Sequence, residues 1–176
     1  MLFKNNKGFS VVELLTAISI LAIITSFSVI NFNTWKKNEN LRQSGRELAN
    51  NIRNAQTKSL SGEMFNGISP SGYGIYFSNA SSSSYVLFAD LDNDFIYDSA
   101  DGEFVDTYNL TDNVLISNLT PIFDNELTIV FKSPNAKIYI NQNILADGAQ
   151  IELTHNITAN NKIIEVRRIT GRIDIQ

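Results

Sequence analysis

Glu13 is a carboxylate set in a long apolar run. It sits in Gly8-Phe9-Ser10-Val11-Val12-Glu13-Leu14-Leu15, and the apolar character continues to Phe32. An ionisable side chain in a stretch suited to a bilayer costs roughly 2.5–3.5 kcal/mol, so it calls for a partner. A cut after Gly8 would create one. Phe9 would then carry a new α-amino group, with Glu13 one helical turn further along on the same face. Gly8 suits such a cut, because a residue without Cβ lets a protease approach the backbone closely.

A second group of chemically capable residues lies mid-chain, in Asp90-Leu91-Asp92-Asn93-Asp94-Phe95-Ile96-Tyr97-Asp98-Ser99-Ala100-Asp101-Gly102-Glu103. Asp90, Asp92, Asp94, Asp98 and Asp101 fall on the oxygen-ligand positions of an EF-hand-like count, with the Ile96 carbonyl at its backbone position. Hard oxygen ligands at this spacing suit Ca²⁺. Against that, Phe95 stands where the motif needs Gly, Asp101 stands where it needs a bidentate Glu, and no flanking helices are expected. The run is either a solvated acidic turn or a weak calcium site. No other cofactor is implied.

The remaining candidates are sparser. Arg167, Arg168 and Arg172 form a local basic cluster near the end of the chain. On a strand Arg167 and Arg168 point to opposite faces, and Glu165 and Asp174 stand ready to pair with the cluster. His155, the sole histidine, sits in Thr154-His155-Asn156 and reads as the end of a strand. There is no Ser/His/Asp arrangement and no phosphate-binding Gly loop, so an enzyme is not expected. The Asn-X-Thr triplets at Asn109, Asn118 and Asn156 are expected by chance in an Asn-rich chain.

These residues must be positioned by a short chain. Its 176 residues, 43% hydrophobic, allow one membrane segment and one small globular domain. The net charge of −4 does not favour general nucleic-acid binding. With no Cys, disulfides, thiolate zinc sites and cysteine nucleophiles are excluded together.

From Phe9 to about Leu60 there is no Pro, and Gly45 alone interrupts the good helix formers. Leu41, Gly45, Leu48, Ile52 and Ala55 form one apolar stripe, with Arg42, Arg46, Glu47, Arg53 and Lys58 largely off it. Ser61-Gly62 supplies a stop. The expected helix is roughly 75–80 Å long at 1.5 Å per residue. Its first half is apolar all round, and Lys36 and Lys37 mark where it leaves the hydrocarbon.

After Gly62 the pattern turns to period two. Strands are expected over Gly72–Phe77, Tyr85–Phe88, Phe104–Tyr108, Val114–Ser117, Leu127–Lys132 and Lys137–Ile140, then over Gln150–Thr154, Ile163–Ile169 and Arg172–Ile175. Between them lie Ser81–Ser84, Ser133-Pro134-Asn135, Asp147-Gly148 and Thr170-Gly171. The fold class is α+β, a long N-terminal helix packed on a C-terminal antiparallel sheet or sandwich.

Gly8-Phe9-Ser10-Val11-Val12-Glu13-Leu14-Leu15 resembles the processing site of type IV pilins and type II secretion pseudopilins. A secretory signal peptide fits less well, since its apolar region is only 7–15 residues, whereas this run approaches the ~20 that span a bilayer. An ordinary anchor has no use for Glu13. The resemblance implies a pilin-like fold and a prepilin peptidase that cuts between Gly8 and Phe9 and methylates the Phe9 amine. It implies these segments: 1–8, a cleaved leader; 9–32, a transmembrane and filament-core helix; 33–62, its amphipathic continuation; 63–176, a β-rich globular domain. Many major pilins carry a Pro midway along this helix, and Ser26-Phe27-Ser28-Val29-Ile30-Asn31 has none.

The helix segment from Glu39 to Gln56 and the closing Val166–Ile175 resemble the GspH/FimT-type minor pseudopilins and minor pilins. The implied protein is a single-pass subunit of the bacterial inner membrane, its globular domain periplasmic or extracellular, that later enters a pseudopilus or pilus. Its implied partners are other pilins in a helical filament, the prepilin peptidase, the inner-membrane assembly platform and membrane lipid. Glu13 would pair with the Phe9 amine of an adjacent subunit. Two alternatives stay open: a minor pilin that binds DNA through Arg167, Arg168 and Arg172 near the Gly171-Arg172 motif, and a major pilin.

Overall fold

The computed structural model describes residues 8–79, 82–142 and 146–176, with only the backbone described at 27–34. Residues 1–7 of the expected 1–8 leader lie outside the described residues, and positions 27–32 of the expected 9–32 span lie outside the described side chains. Helix α1 covers Val11–Ser61. Nine strands follow: β1 Gly72–Ser78, β2 Ser84–Asp90, β3 Phe104–Asn109, β4 Val114–Thr120, β5 Glu126–Lys132, β6 Lys137–Ile140, β7 Gly148–His155, β8 Asn161–Arg167 and β9 Ile173–Ile175. The chain divides into two units, Met1–Lys37 and Asn38–Gln176. The second begins inside the stretch read as the amphipathic continuation.

In the first unit the described apolar side chains between Val11 and Ile24 are open to their surroundings. Val11, Leu14, Leu15, Ile18, Leu21 and Ile24 are all exposed in the single chain. Ser10 caps the helix start: the Val12 N–H donates to Ser10 Oγ at 3.3 Å and the Leu14 N–H to the Ser10 carbonyl at 3.1 Å. The helix therefore begins at Val11 rather than Phe9.

In the second unit the stripe expected from the sequence is the buried face of α1. Leu41, Leu48, Ala49, Ile52 and Ala55 are at most 3% exposed, and Arg42, Arg46, Glu47 and Arg53 face solvent. The helix ends in a Schellman arrangement. The Glu63 N–H donates to the Lys58 carbonyl and the Gly62 N–H to that of Ser59, with Gly62 at φ 62°.

Two antiparallel sheets share the core with this helix segment. One has the order β3-β2-β1-β5-β6, the other β4-β7-β8-β9. Leu48 and Ile52 of α1 join Ile75 and Ile129 of the first sheet and Ile151 and Ile164 of the second in one apolar cluster. Full burial of each such side chain contributes roughly 1.5–3 kcal/mol. Polar ties fix the docking. The Tyr73 N–H donates to Ser59 Oγ at 2.8 Å, and Arg53 Nη2 donates to the Ile173 carbonyl at 2.9 Å. Ser44 Oγ hydrogen-bonds Thr111 Oγ1 at the entry to β4.

β7 alternates buried and open positions, the signature of a one-sided strand. β1 and β5 do not, because the first sheet is covered on both faces. Phe88 and Val130, fully buried, lie outside the shared core, and both are paired with Gly74 of β1. A Cβ on Gly74 would come within 2.6 Å of the Phe88 ring, so a bare glycine is what admits that aromatic. The expected end of β8 is corrected as well. β8 stops at Arg167 instead of Ile169, since the Gly171 N–H returns to the Arg167 carbonyl at 2.9 Å and closes a turn with Gly171 at φ 65°.

Candidate functional site

The first turn of α1 places Glu13 at its third position, three residues after the Ser10 cap, where the helix dipole favours a negative charge. Glu13 is exposed and, among the described residues, has no ion-pair partner. Gly8 and Phe9 precede the helix and are also exposed, and no atom would meet a Cβ on Gly8 within 4 Å.

The polar residues of the following turns satisfy themselves. Thr16 Oγ1 donates to the Glu13 carbonyl, Ser19 Oγ to Leu15, Thr25 Oγ1 to Leu21 and Ser26 Oγ to Ala22, all at 2.7–2.9 Å. Hydroxyls folded back on their own helix leave a surface that can enter an apolar medium without orphaned donors. Glu13 is the ionisable group left in it between Ser10 and Ser26. Sequence reading missed this back-bonding, although hydroxyl side chains in an apolar helix were the available signal. Among the described residues no helix is long and apolar enough to cross a membrane.

The acidic run joins β2 to β3 and folds over the outer face of the first sheet. The Phe95 ring stacks on Tyr139 of β6 at 3.9 Å between centroids. Tyr97 packs against Tyr76 at 5.1 Å and Phe88 at 5.5 Å. The Phe that departs from the EF-hand pattern is thus the residue that pins the loop.

Of the five aspartates, the loop brings Asp90 and Asp92 together, and their companion is Glu103, not Asp94, Asp98 or Asp101. One carboxylate oxygen from each of Asp90, Asp92 and Glu103 lies within 4.8 Å of the others. Asp94 and Asp98 accept the N–H groups of Ile96 and Ala100, two residues ahead of each, as turn caps at 2.7 Å, and Asp92 likewise accepts that of Asp94 at 3.1 Å. Asp101 is exposed in the turn before β3.

Glu103, 1% exposed, accepts the Leu91 N–H on Oε1 at 2.9 Å and the Asp98 N–H on Oε2 at 3.1 Å. Asp90 is fully buried. Burial pushes its carboxyl up to about 6, Glu103, Asp92 and Asp94 add to the rise, and the Asn93 N–H opposes it. Burial likewise raises Glu103. Sequence spacing could not find Glu103, because its place follows from where β3 re-enters the sheet.

The basic cluster is tied down. Arg167 Nε lies 3.3 Å from Glu165, Arg172 Nε lies 2.7 Å from Asp174, and Arg168 Nε donates to the Ala146 carbonyl at 2.7 Å. His155 closes β7, buried, with Nδ1 accepting the Ile157 N–H at 3.2 Å.

Residues 3–29 match the family described as "Prokaryotic N-terminal methylation motif". The matched segment holds Gly8, Phe9 and Glu13 and ends within α1. This motif is a type IV pilin-like prepilin signal; it supports a pilin-like precursor and is consistent with assembly alongside other pilin-like subunits after a prepilin peptidase has acted. No curated protein matches the chain, and no solved structure does.

Proposed function

We propose that this chain is a non-enzymatic structural subunit of a type II secretion pseudopilus or type IV pilus, a minor member of the GspH/FimT type. The observation that carries the reading is the N-terminal methylation motif at residues 3–29, which contains Gly8-Phe9 and Glu13. Peptidase hydrolysis of the Gly8–Phe9 amide frees the Phe9 amine, which is then methylated. The apolar segment Phe9–Phe32 holds the processed subunit as a single-pass protein of the inner membrane, its globular part on the far side, until the assembly platform draws it into a filament.

In the filament, apolar helices pack side by side and Glu13 pairs with the Phe9 amine of its neighbour. The self-satisfied hydroxyls of Thr16, Ser19, Thr25 and Ser26 support this reading, since they let the helix pass from lipid to protein without exposing a donor. A subunit out of register leaves Glu13 unpaired in a dry environment, at a cost of a few kcal/mol.

The test is co-expression of the full chain with a prepilin peptidase, followed by intact-mass analysis. The expected product lacks residues 1–8 and carries one added methyl group. An unprocessed chain, or cleavage at another bond, overturns the proposal.

A further inference from the structure

The geometry points to a Ca²⁺ site at the loop end of the β2–β3 hairpin, held by Asp90, Asp92 and Glu103. Convergence of three carboxylates is one observation. A second, independent one is that Asp90 Oδ2 is buried and has no hydrogen-bond partner among the described residues, while Oδ1 accepts the Asn93 N–H at 2.7 Å. Buried polar atoms in folded proteins are nearly always satisfied, and a bare carboxylate oxygen is among the most costly to leave alone.

No Lys or Arg among the described residues pairs with any of the three carboxylates. A cation is what the arrangement lacks.

The ligands are already ordered. Glu103 clamps the two ends of the Leu91–Asp98 segment through its two backbone acceptances, and the Phe95–Tyr139 stack holds the loop to the sheet. Binding therefore does not have to fix a floppy chain.

All donors are hard oxygens, which selects Ca²⁺ or Mg²⁺ over thiolate- and imidazole-seeking metals. Ca²⁺ tolerates irregular sets of six to eight oxygens completed by water, whereas Mg²⁺ demands near-ideal octahedral geometry. Carboxylates already held by backbone N–H groups are poorly placed to move into a regular octahedron, which favours Ca²⁺ as the occupant. With three carboxylates the affinity falls in the range of extracellular modules, a Kd of roughly 10⁻⁴–10⁻³ M. This assignment differs from the EF-hand-like count by replacing Asp94, Asp98 and Asp101 with Glu103, and it does not depend on the filament role.

The test uses the full chain in detergent, stripped with a chelator, then titrated with Ca²⁺ and separately with Mg²⁺ by calorimetry and thermal melting. Saturable Ca²⁺ binding is expected, with Tm rising by about 3–6 °C at ten times Kd and a smaller rise for Mg²⁺. Asp90→Asn and Asp92→Asn should lose the response, and Asp101→Asn should keep it. Asp92 is exposed, so its variant reports on binding even if Asp90→Asn folds poorly. The site is overturned by the absence of a Ca²⁺ response up to about 10 mM, well above the expected Kd. A response that survives Asp92→Asn, one lost in Asp101→Asn, or an equal response to Mg²⁺ also overturns it.

Discussion

The side-chain amide of Asn51 on α1 donates to the phenolic oxygen of Tyr85 on β2 at 2.9 Å. This bond joins the outer flank of the buried helix stripe to the first sheet, beside the Tyr85–Phe77 and Tyr85–Tyr108 ring contacts. It gives the helix–sheet junction a titratable reporter.

Burial pushes the Tyr85 phenol up to about 12 from an ordinary 10.0, although the Asn51 amide favours the phenolate. A folded pKa above the unfolded one means that the stabilisation is fully present below pH 10 and is lost as the pH rises through about 12. Thermal melts should therefore show falling stability over that window, and Tyr85→Phe should flatten the fall. Removing the amide in Asn51→Leu should push Tyr85 higher still. Phenolate absorbance against pH reads this directly, and a Tyr85 that titrates at its ordinary value would contradict the packing.

Gly8 and Glu13 should separate processing from assembly. Gly8→Val should leave the leader attached, seen as an uncleaved mass. Glu13→Ala should be cleaved normally yet fail to enter sheared filaments in normal amounts. Normal incorporation of the Glu13 variant would count against its role in register.

The end of α1 needs a left-handed backbone conformation at one residue. Gly62 is left-handed, and a Cβ there would touch nothing within 4 Å. Gly62→Ala should cost about 1 kcal/mol through strain without repacking. Ile52→Ala, at a fully buried core position, should cost about 2–5 kcal/mol. Chemical denaturation of the two variants should preserve that order; a larger loss for Gly62→Ala would show that the helix end does more than stop.

The arginines at the chain's end should not confer DNA binding. Glu165 and Asp174 neutralise Arg167 and Arg172, and Arg168 is spent on the Ala146 carbonyl. Full chain in detergent should give no mobility shift of duplex DNA at low salt. A shift that weakens steeply with added salt and disappears in Arg167→Ala or Arg172→Ala would reverse that reading.

Local patterns carried much of the fold. Leu41, Leu48, Ile52 and Ala55 declared their helix face because a period of 3.6 needs only neighbours to be legible. Gly62 and Gly171 announced turns because only a residue without Cβ enters the left-handed region freely. The Gly8-Phe9 and Glu13 spacing was legible for the same reason, since the motif that holds it is contiguous in the chain.

The tertiary structure decided what depended on partners distant in the chain. Glu103 joins Asp90 because β3 pairs beside β2 with a register shift between Leu87 and Phe88, and no count along the loop could supply that. Phe95 looked like a defect in a ligand motif until Tyr139 stood beneath it. Spacing could say that five aspartates were close in sequence. The fold alone determined which of them were buried, because desolvation is a property of what packs around a group and not of the group's neighbours in the chain.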